Sequence, residues 1–475
     1  MNTSAYEMVI GLEVHVELKT KTKIFCECST AFGAEPNTQC CPVCMGMPGT
    51  LPVLNKQVVR YAVKAGLATH CSIARYSKQD RKNYFYPDLP KAYQISQYDL
   101  PLCAGGWLDI EGENGPKRIG ITRIHIEEDA GKLVHKEGGG TLCDYNRCGV
   151  PLIEIVSEPD IRSAAEAAAY LRKLRAIMLY VGVSDCKMQE GSLRCDVNLS
   201  VRKKGSQTLG TRTEMKNLNS FQFIQKAIEY EFQRQVEAVE AGEEIVQETR
   251  RFDQATGKTF SMRKKEDAND YRYFPDPDLV PIVLSQEVLA AIGEEIPELP
   301  DARKQEYVER YGLTAGDAEA LVNERAVADY FEAAAAGTKA PKLLANLITS
   351  EVFRLFAPEQ TDIPIAPEHL ATLADLLADE RLGSAAGKKL VSLMWHQDAD
   401  PVGLAEEHQL WQISDEEALR PAAQRAVEEN ARAAADYKKG KSSAIQTLIG
   451  QVMRATGGRA NPVVTRALLE KLLEE

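Results

Sequence analysis

Residues Met8–Leu18 read MVIGLEVHVEL, with Val14, Val16 and Leu18 on one side of the chain and Glu13, His15 and Glu17 on the other. That period of two is the pattern of a half-buried strand. Similar short runs recur at Ile119–Ile126 and Val150–Val156. Amphipathic helices follow. Ser163 with Glu166 forms a capping box, after which Leu171, Leu174, Met178 and Val181 keep one apolar stripe until Gly182. A second helix carries Phe221, Ile224, Ile228, Phe232, Val236 and Val239 and ends at Gly242. Strands and helices mixed in this way predict an α+β domain whose sheet is mostly antiparallel or mixed.

Beyond this domain the composition changes. Residues 301–475 hold 33 alanines, compared with 23 in the preceding 300, and no alternating run survives there. Two prolines in IPELPDARKQEY, beginning at Ile296, mark a boundary. A weaker one falls at Asp400-Pro401, which divides the chain into 1–295, 296–400 and 401–475. A length of 475 residues suits several domains. The net charge of -12 excludes a uniformly basic nucleic-acid coat. Any RNA contact has to be local, and Tyr437–Glu475 offers one, with seven Lys or Arg against three Glu. No run approaches the ~20 apolar residues of a membrane span, and Glu7, Glu13 and Glu17 stand where a secretory peptide needs an uncharged run. The chain reads as soluble and cytoplasmic.

The eleven cysteines all lie at or before Cys195. The strongest local motif is Cys26-x-Cys28, twelve residues, then Cys41-Pro-Val-Cys44, with Cys40 a spare neighbour. Two close pairs on two turns suit a closed tetrahedral zinc site of structural type. The alternative is five incidental thiols. A redox motif fits less well, because these cysteines do not open a helix after a strand.

A second constellation is acidic. Glu13 and His15 share a strand face, Glu127-Glu128-Asp129 ends the run RIHIEEDAGK, and Glu154 sits inside VPLIEIV. A carboxylate among Leu152, Ile153, Ile155 and Val156 needs a cation. If these strands are neighbours, the group suits Mg²⁺ holding a nucleotide's phosphates. Pairing of each Glu with an arginine such as Arg123 or Arg147 is the competing account. A third feature, DRKNYFYPDLPKAYQISQYDLP from Asp80 to Pro101, interleaves Lys82, Lys91 and Asn83 with Tyr84, Tyr86 and Tyr93. Cations among aromatics bind phosphates while stacking on bases, which suits a nucleotide or an unpaired RNA end; tyrosines at the core or its rim would look the same. DYRYFPDPDLVP, from Asp270, has the same character and reads as an extended loop. Gly257-Lys258-Thr259 and Gly440-Lys441-Ser442 resemble the end of a phosphate loop, yet the required earlier glycine is Phe252 in one and Ala435 in the other. ATP, if bound, is not held by a P-loop. No G-x-S-x-G elbow is present, which argues against amide hydrolysis by this chain.

Taken in order, VIGLEVHVELKTKTKIFC, CPVCMGMPGTLPVLN, DRKNYFYPDLPKAYQISQYDLP, GITRIHIEEDAGK, PLIEIVSEPDIRS, EGSLRCDVNLSVR, MKNLNSF, QETRRFD and YRYFPDPDLVP resemble the B subunit of the bacterial aspartyl/glutamyl-tRNA amidotransferases. The resemblance implies a glutamine-synthetase/guanido-kinase-like cradle domain, then an all-helical domain and a small helical tail that binds tRNA. It implies a heterotrimer with an amidase, the A subunit, and a third, small C subunit, acting on misacylated tRNA, with an aminoacyl-tRNA synthetase as a further partner. In that setting ATP phosphorylates the side-chain carboxylate of Glu on tRNA(Gln) or Asp on tRNA(Asn), and ammonia released by the amidase displaces the phosphate. Carried over by motif, Glu13, His15, Glu128 and Glu154 are the Mg²⁺ and ATP-site residues. The run from Asp80 to Pro101 supplies Lys82, Tyr84, Lys91 and Tyr93 for cofactor binding, and Cys26, Cys28, Cys41 and Cys44 hold Zn²⁺. The tail departs from the pattern at Gln446-Thr447, where relatives more often have Gly-Phe. The alternative function is a non-catalytic, zinc-stabilised tRNA-binding scaffold.

Overall fold

The computed structural model describes residues 3–474 apart from 114, 137, 265–270, 358, 359 and 361. Asp270, the first residue of DYRYFPDPDLVP, therefore lies outside the described residues. The chain forms two compact units, Met1–Pro300 and Asp301–Glu475.

The alternating stretch that opens the chain is the strand Tyr6–Glu17, the middle of a nine-stranded sheet. On one side of it lie Leu193–Lys203, Thr213–Lys216, Glu248–Asp253 and Lys258–Lys264; on the other lie Pro151–Ser157, Gly115–Glu128, Cys103–Gly112 and Ser72–Ile73. Neighbours run antiparallel except Thr213–Lys216 with Glu248–Asp253, which are parallel, so the sheet is mixed. The registers stack polar residues opposite one another: Glu13 faces Asp196 across one gap, His15 faces Glu154 across the other, and Glu154 faces His125. Directly opposed residues share a face. The odd-numbered residues of Tyr6–Glu17 from Glu13 on therefore look to one side, and Leu12, Val14 and Val16 look to the other.

The apolar face is the core. Leu12, Val14, Val16, Ile124, Ile126, Ile153, Ile155, Val197 and Leu199 are all buried, in one cluster with residues of the helices Ala164–Tyr180 and Phe221–Glu240. Both helices start at a serine cap: Ser163 Oγ accepts from Glu166 N and Ser220 Oγ from Phe223 N, each at 3.1 Å. The capping box is only half formed. The Glu166 carboxylate accepts from Arg162 N at 2.7 Å and from Lys117 Nζ at 2.7 Å instead of turning back to Ser163. The first helix ends where Gly182 takes a left-handed φ of 69°. Gly257-Lys258-Thr259 is likewise explained by the fold, as the end of a hairpin turn between Glu248–Asp253 and Lys258–Lys264 with Gly257 at φ 67°. The loop expected after Asp270 is in part a strand, Phe274–Pro275, paired with Arg81 and Asp80.

The second unit consists of helices, and its described residues contain no β-strand. Its C-terminal part has its own core, in which Leu419, Ala423, Ile445, Leu448, Val452, Leu468 and Leu469 are buried together. Among the described residues no helix is long and apolar enough to cross a membrane.

One buried polar network ties the sheet to its covering helix. Glu231, fully buried on Phe221–Glu240, accepts from Thr213 Oγ1 at 2.9 Å, Thr259 Oγ1 at 2.9 Å, Gln235 Nε2 at 3.0 Å and Arg234 Nη2 at 2.6 Å. Burial alone would raise its pKa, but Arg234, Gln235 and Thr213 hold the carboxyl below its ordinary value. A depressed carboxyl contributes stability above its unfolded pKa and loses it as pH falls through the folded one. Urea unfolding should therefore show Glu231→Ala destabilised by about 3–5 kcal/mol at neutral pH, and Glu231→Gln with a flatter decline of stability below about pH 4.

Candidate active site

Strand alternation assembles the polar face of the sheet. Glu13 and His15 come from Tyr6–Glu17, Glu154 from Pro151–Ser157, His125 and Glu127 from Gly115–Glu128, Asp196 and Asn198 from Leu193–Lys203, and Glu214 and Lys216 from Thr213–Lys216. Two groups of possible metal ligands form there, each with its ligand atoms within 4.8 Å of one another: His15, Glu127 and Glu154, and Glu13, Asp196 and Glu214.

In the first group His15 Nε2 lies 3.4 Å from Glu154 Oε2, and His125 Nε2 lies 2.9 Å from Glu127 Oε1 and 3.6 Å from Glu154 Oε2. Ser96 Oγ donates to Glu127 at 2.8 Å. Burial works against the charge on Glu127 and Glu154, yet the two imidazoles hold both carboxyls below their ordinary values; for Glu127, Lys82 adds to the effect. His15 is raised in return: burial opposes its charge, and Glu154 outweighs burial. In the second group Asn198 Nδ2 donates to Glu13 at 2.9 Å. Burial first, and then the charge of Glu154, push the Glu13 carboxyl up. Glu13 thus belongs to one group and feels the other. The two groups form one acidic surface.

The geometry departs from the sequence expectation at Glu128. Adjacent strand residues point to opposite faces, so Glu127 joins His15 and Glu154, and Glu128 turns away. Its carboxylate accepts from Ile95 N at 2.9 Å and pairs with Lys91. The signal was in the sequence: in RIHIEE, Ile124 and Ile126 mark the apolar side, which leaves His125 and Glu127 on the polar one. Asp196, Asn198 and Glu214 were missed although CDVNL alternates in the same way, because nothing local says that this strand neighbours Tyr6–Glu17.

The aromatic run divides too. Lys82 carries its ammonium over Tyr271 at 5.0 Å from the ring centre, and Tyr84 meets the same ring edge-on at 5.9 Å. Burial disfavours the Lys82 charge, but Glu127, Tyr273 and Glu154 raise its pKa, so Lys82 lies within electrostatic range of the first acidic group. Lys91 and Tyr93 are elsewhere. With Phe25, Cys44, Ile95 and Glu128 they line a cavity of about 170 Å³, where Lys91 Nζ lies 5.3 Å from the Tyr93 ring centre.

Cys26, Cys28, Cys41 and Cys44 come together with their sulfurs within 4.8 Å of one another, and Cys40 is outside the group. Cys41 N donates to Cys44 Sγ at 3.1 Å, and the buried Lys23 Nζ lies 3.7 Å from it. A hydrogen bond from Cys26 leads in holding the Cys44 thiol below its ordinary value, with Cys41 and Lys23 assisting against burial. Four sulfurs this close could hold a metal ion.

Residues 8–290 match the family profile described as the GatB/GatE catalytic domain, and residues 329–473 the one described as the GatB domain. The chain belongs to the GatB/GatE family. It is similar to the B subunit of the aspartyl/glutamyl-tRNA(Asn/Gln) amidotransferase of Caldicellulosiruptor saccharolyticus, 55% identical over 99% of both chains. It is equally similar to the B subunit of the Caldanaerobacter subterraneus enzyme, 55% identical over 99% of this chain and all of that one. The corresponding protein of Geotalea daltonii is 53% identical over 99% of both. The profile described as catalytic covers both acidic groups and the four cysteines, so the polar face lies within the family's catalytic domain.

The Lys91–Glu128 pair is almost fully buried, with side chains 9% and 3% exposed. Removing one member of such a pair strands the other charge. Lys91→Met should cost about 3–5 kcal/mol, and the double variant Lys91→Met/Glu128→Gln should recover much of the loss. Urea denaturation of the four species in a double-mutant cycle measures the coupling; additive effects would show that the pair is not one electrostatic unit.

Proposed function

We propose that this chain is the tRNA-binding, kinase and transamidase subunit of a glutamine-dependent aspartyl/glutamyl-tRNA amidotransferase. The names carried by its relatives support this reading, and one observation bears it: two carboxylate groups share the polar face of one sheet, with a lysine beside them. The substrate would be the side-chain carboxylate of Glu or Asp esterified to its non-cognate tRNA. A carboxylate resists attack by ammonia until one oxygen is made a leaving group, and ATP-dependent phosphorylation does that. Ammonia would come from glutamine through the amidase, the A subunit, while the small C subunit would complete the assembly.

Carboxylate oxygens are the hard donors magnesium prefers, and the second group consists of carboxylates alone, so the residues fit that ion. His15, Glu127 and Glu154 would hold one ion and Glu13, Asp196 and Glu214 another. Bound there, magnesium supplies positive charge against the phosphoryl oxygens. This chain's residues do the positioning. His125 and Ser96 fix the Glu127 carboxylate, Asn198 fixes Glu13, and Lys82 offers an ammonium to phosphate, with Tyr84 and Tyr271 as faces for a base. The positive balance of Tyr437–Glu475 suits the phosphate backbone of the tRNA body.

Glutamine keeps the shape of Glu127 without its charge. In the assembled complex, Glu127→Gln should lower ATP hydrolysis and amide formation together by roughly 10²–10³, while glutamine hydrolysis, which belongs to the amidase, continues. Wild-type rates of tRNA-dependent ATP turnover in this variant would favour the alternative of a non-catalytic tRNA-binding scaffold.

Four convergent thiolates suit tetrahedral zinc, and such a site contributes folding free energy directly. Elemental analysis of protein prepared without chelator should find one zinc per chain. Cys41→Ser should lose it and melt at lower temperature, and Cys40→Ser should keep it. Metal-free wild-type protein would sink the assignment.

A further inference from the structure

The second carboxylate group already holds a cation of its own. Lys216 stands two residues beyond Glu214 on the strand Thr213–Lys216, hence on the same face. Its Nζ lies 2.9 Å from Glu214 Oε1 and pairs more closely still with Asp196. Those are two of the three carboxylates of the group. The first group differs: the partners that touch His15, Glu127 and Glu154 are His125, Ser96 and Gln94.

A divalent ion and an ammonium compete for these carboxylates, since two cations a few ångströms apart in a partly desolvated site repel strongly. The Lys216 side chain is 42% exposed and ends a strand, with Asn217 turning the chain at φ 68°, so its four-carbon stem has room to leave. Once displaced, the ammonium would sit beside the ion it replaced. The groups that bring negative charge to that place in the proposed reaction are the nucleotide's phosphates.

We propose that Lys216 is a resident counter-ion of the Glu13, Asp196 and Glu214 group: it neutralises Asp196 and Glu214 until a divalent ion arrives with nucleotide, then turns to pair with a phosphate oxygen. The inference rests on the reading of that group as part of the ATP site. Lys216 is a positioning residue in this account. It makes the second ion bind weakly alone and well with nucleotide, so that ion and nucleotide load together, while the first group, whose hydrogen-bond partners among the described residues include no lysine, takes its ion alone.

The test uses the full chain, with Mn²⁺ as the metal probe and adenylyl imidodiphosphate as the nucleotide probe. Mn²⁺ alone, followed by its electron paramagnetic resonance signal, should fill one tight and one weak site. Lys216→Met should tighten the weak site by about tenfold or more, because its competitor is gone, and weaken Mn²⁺-dependent binding of the nucleotide probe by about tenfold. Lys216→Arg, which keeps the charge, should leave the weak site weak. The opposite directions are the signature. An unchanged weak site in Lys216→Met, or a loss of both affinities in a folded variant, overturns the proposal. A measurement on wild-type protein guards against a variant that does not fold: amine-reactive labelling read by mass spectrometry. Labelling of Lys216 should rise with saturating Mn²⁺ and fall when the nucleotide probe is added, and indifference to both overturns the proposal. Wild-type protein that binds neither Mn²⁺ nor the nucleotide probe would instead overturn the reading of the acidic face as an ATP site.

Discussion

The register of Tyr6–Glu17 between its two antiparallel neighbours is the constraint on which the rest of the catalytic unit depends. Slipping a strand by one residue exchanges its two faces. Here that slip would send Glu13 and His15 into the helices and bring Leu12, Val14 and Val16 out to solvent. Burial of the apolar face is worth on the order of 1.5–3 kcal/mol for each large side chain, so several such residues per strand hold the register firmly. The acidic face needs no affinity of its own for this arrangement. It is positioned by the hydrophobic face behind it.

That division of labour explains how so many carboxylates tolerate one another. Glu13, Glu127, Glu154, Asp196 and Glu214 face the same side of one sheet, and like charges at such range are unfavourable. Each is moderated by something different. His15 and His125 serve Glu154 and Glu127, Asn198 serves Glu13, and Lys216 serves Asp196 and Glu214. The Glu13 carboxyl is raised by its burial and by the charge of Glu154 in the other group. Under the proposed function a divalent cation would take over that moderation.

The sequence disclosed what is local and periodic. The central strand, the serine cap at Ser163 and the change to helices after residue 300 follow from alternation, capping chemistry and composition. The four cysteines that the structure brings together were legible from spacing alone. What spacing did not resolve was which of two like neighbours shares the acidic face. Glu127 and Glu128 are equivalent in composition, and only strict alternation from Ile124 and Ile126 separates them. Lys91 and Tyr93 look like Lys82 and Tyr84 in the sequence, yet Lys82 feels the charge of Glu127 and Glu154 while Lys91 pairs with Glu128. Asp196 and Glu214 lie some 180 residues or more from Glu13, and strand order, which pairing decides, is what unites them.

The doublet Glu127-Glu128 joins these points into one mechanical argument. It ends the strand Gly115–Glu128, where one carboxylate serves the acidic face and the next is locked by Lys91 and Ile95 N beside the cysteine group. The backbone between them is therefore fixed from both sides. Movement of Glu127 would have to drag a buried ion pair with it, and breaking such a pair costs several kcal/mol. Lys23, buried and close to Cys44, extends the same chain of contacts to the thiols. A metal held by those thiols would stiffen the wall against which Glu128 is anchored, without sharing a ligand with the acidic face. One strand thus separates the thiol group from the acidic face, with adjacent residues of that strand turned toward each.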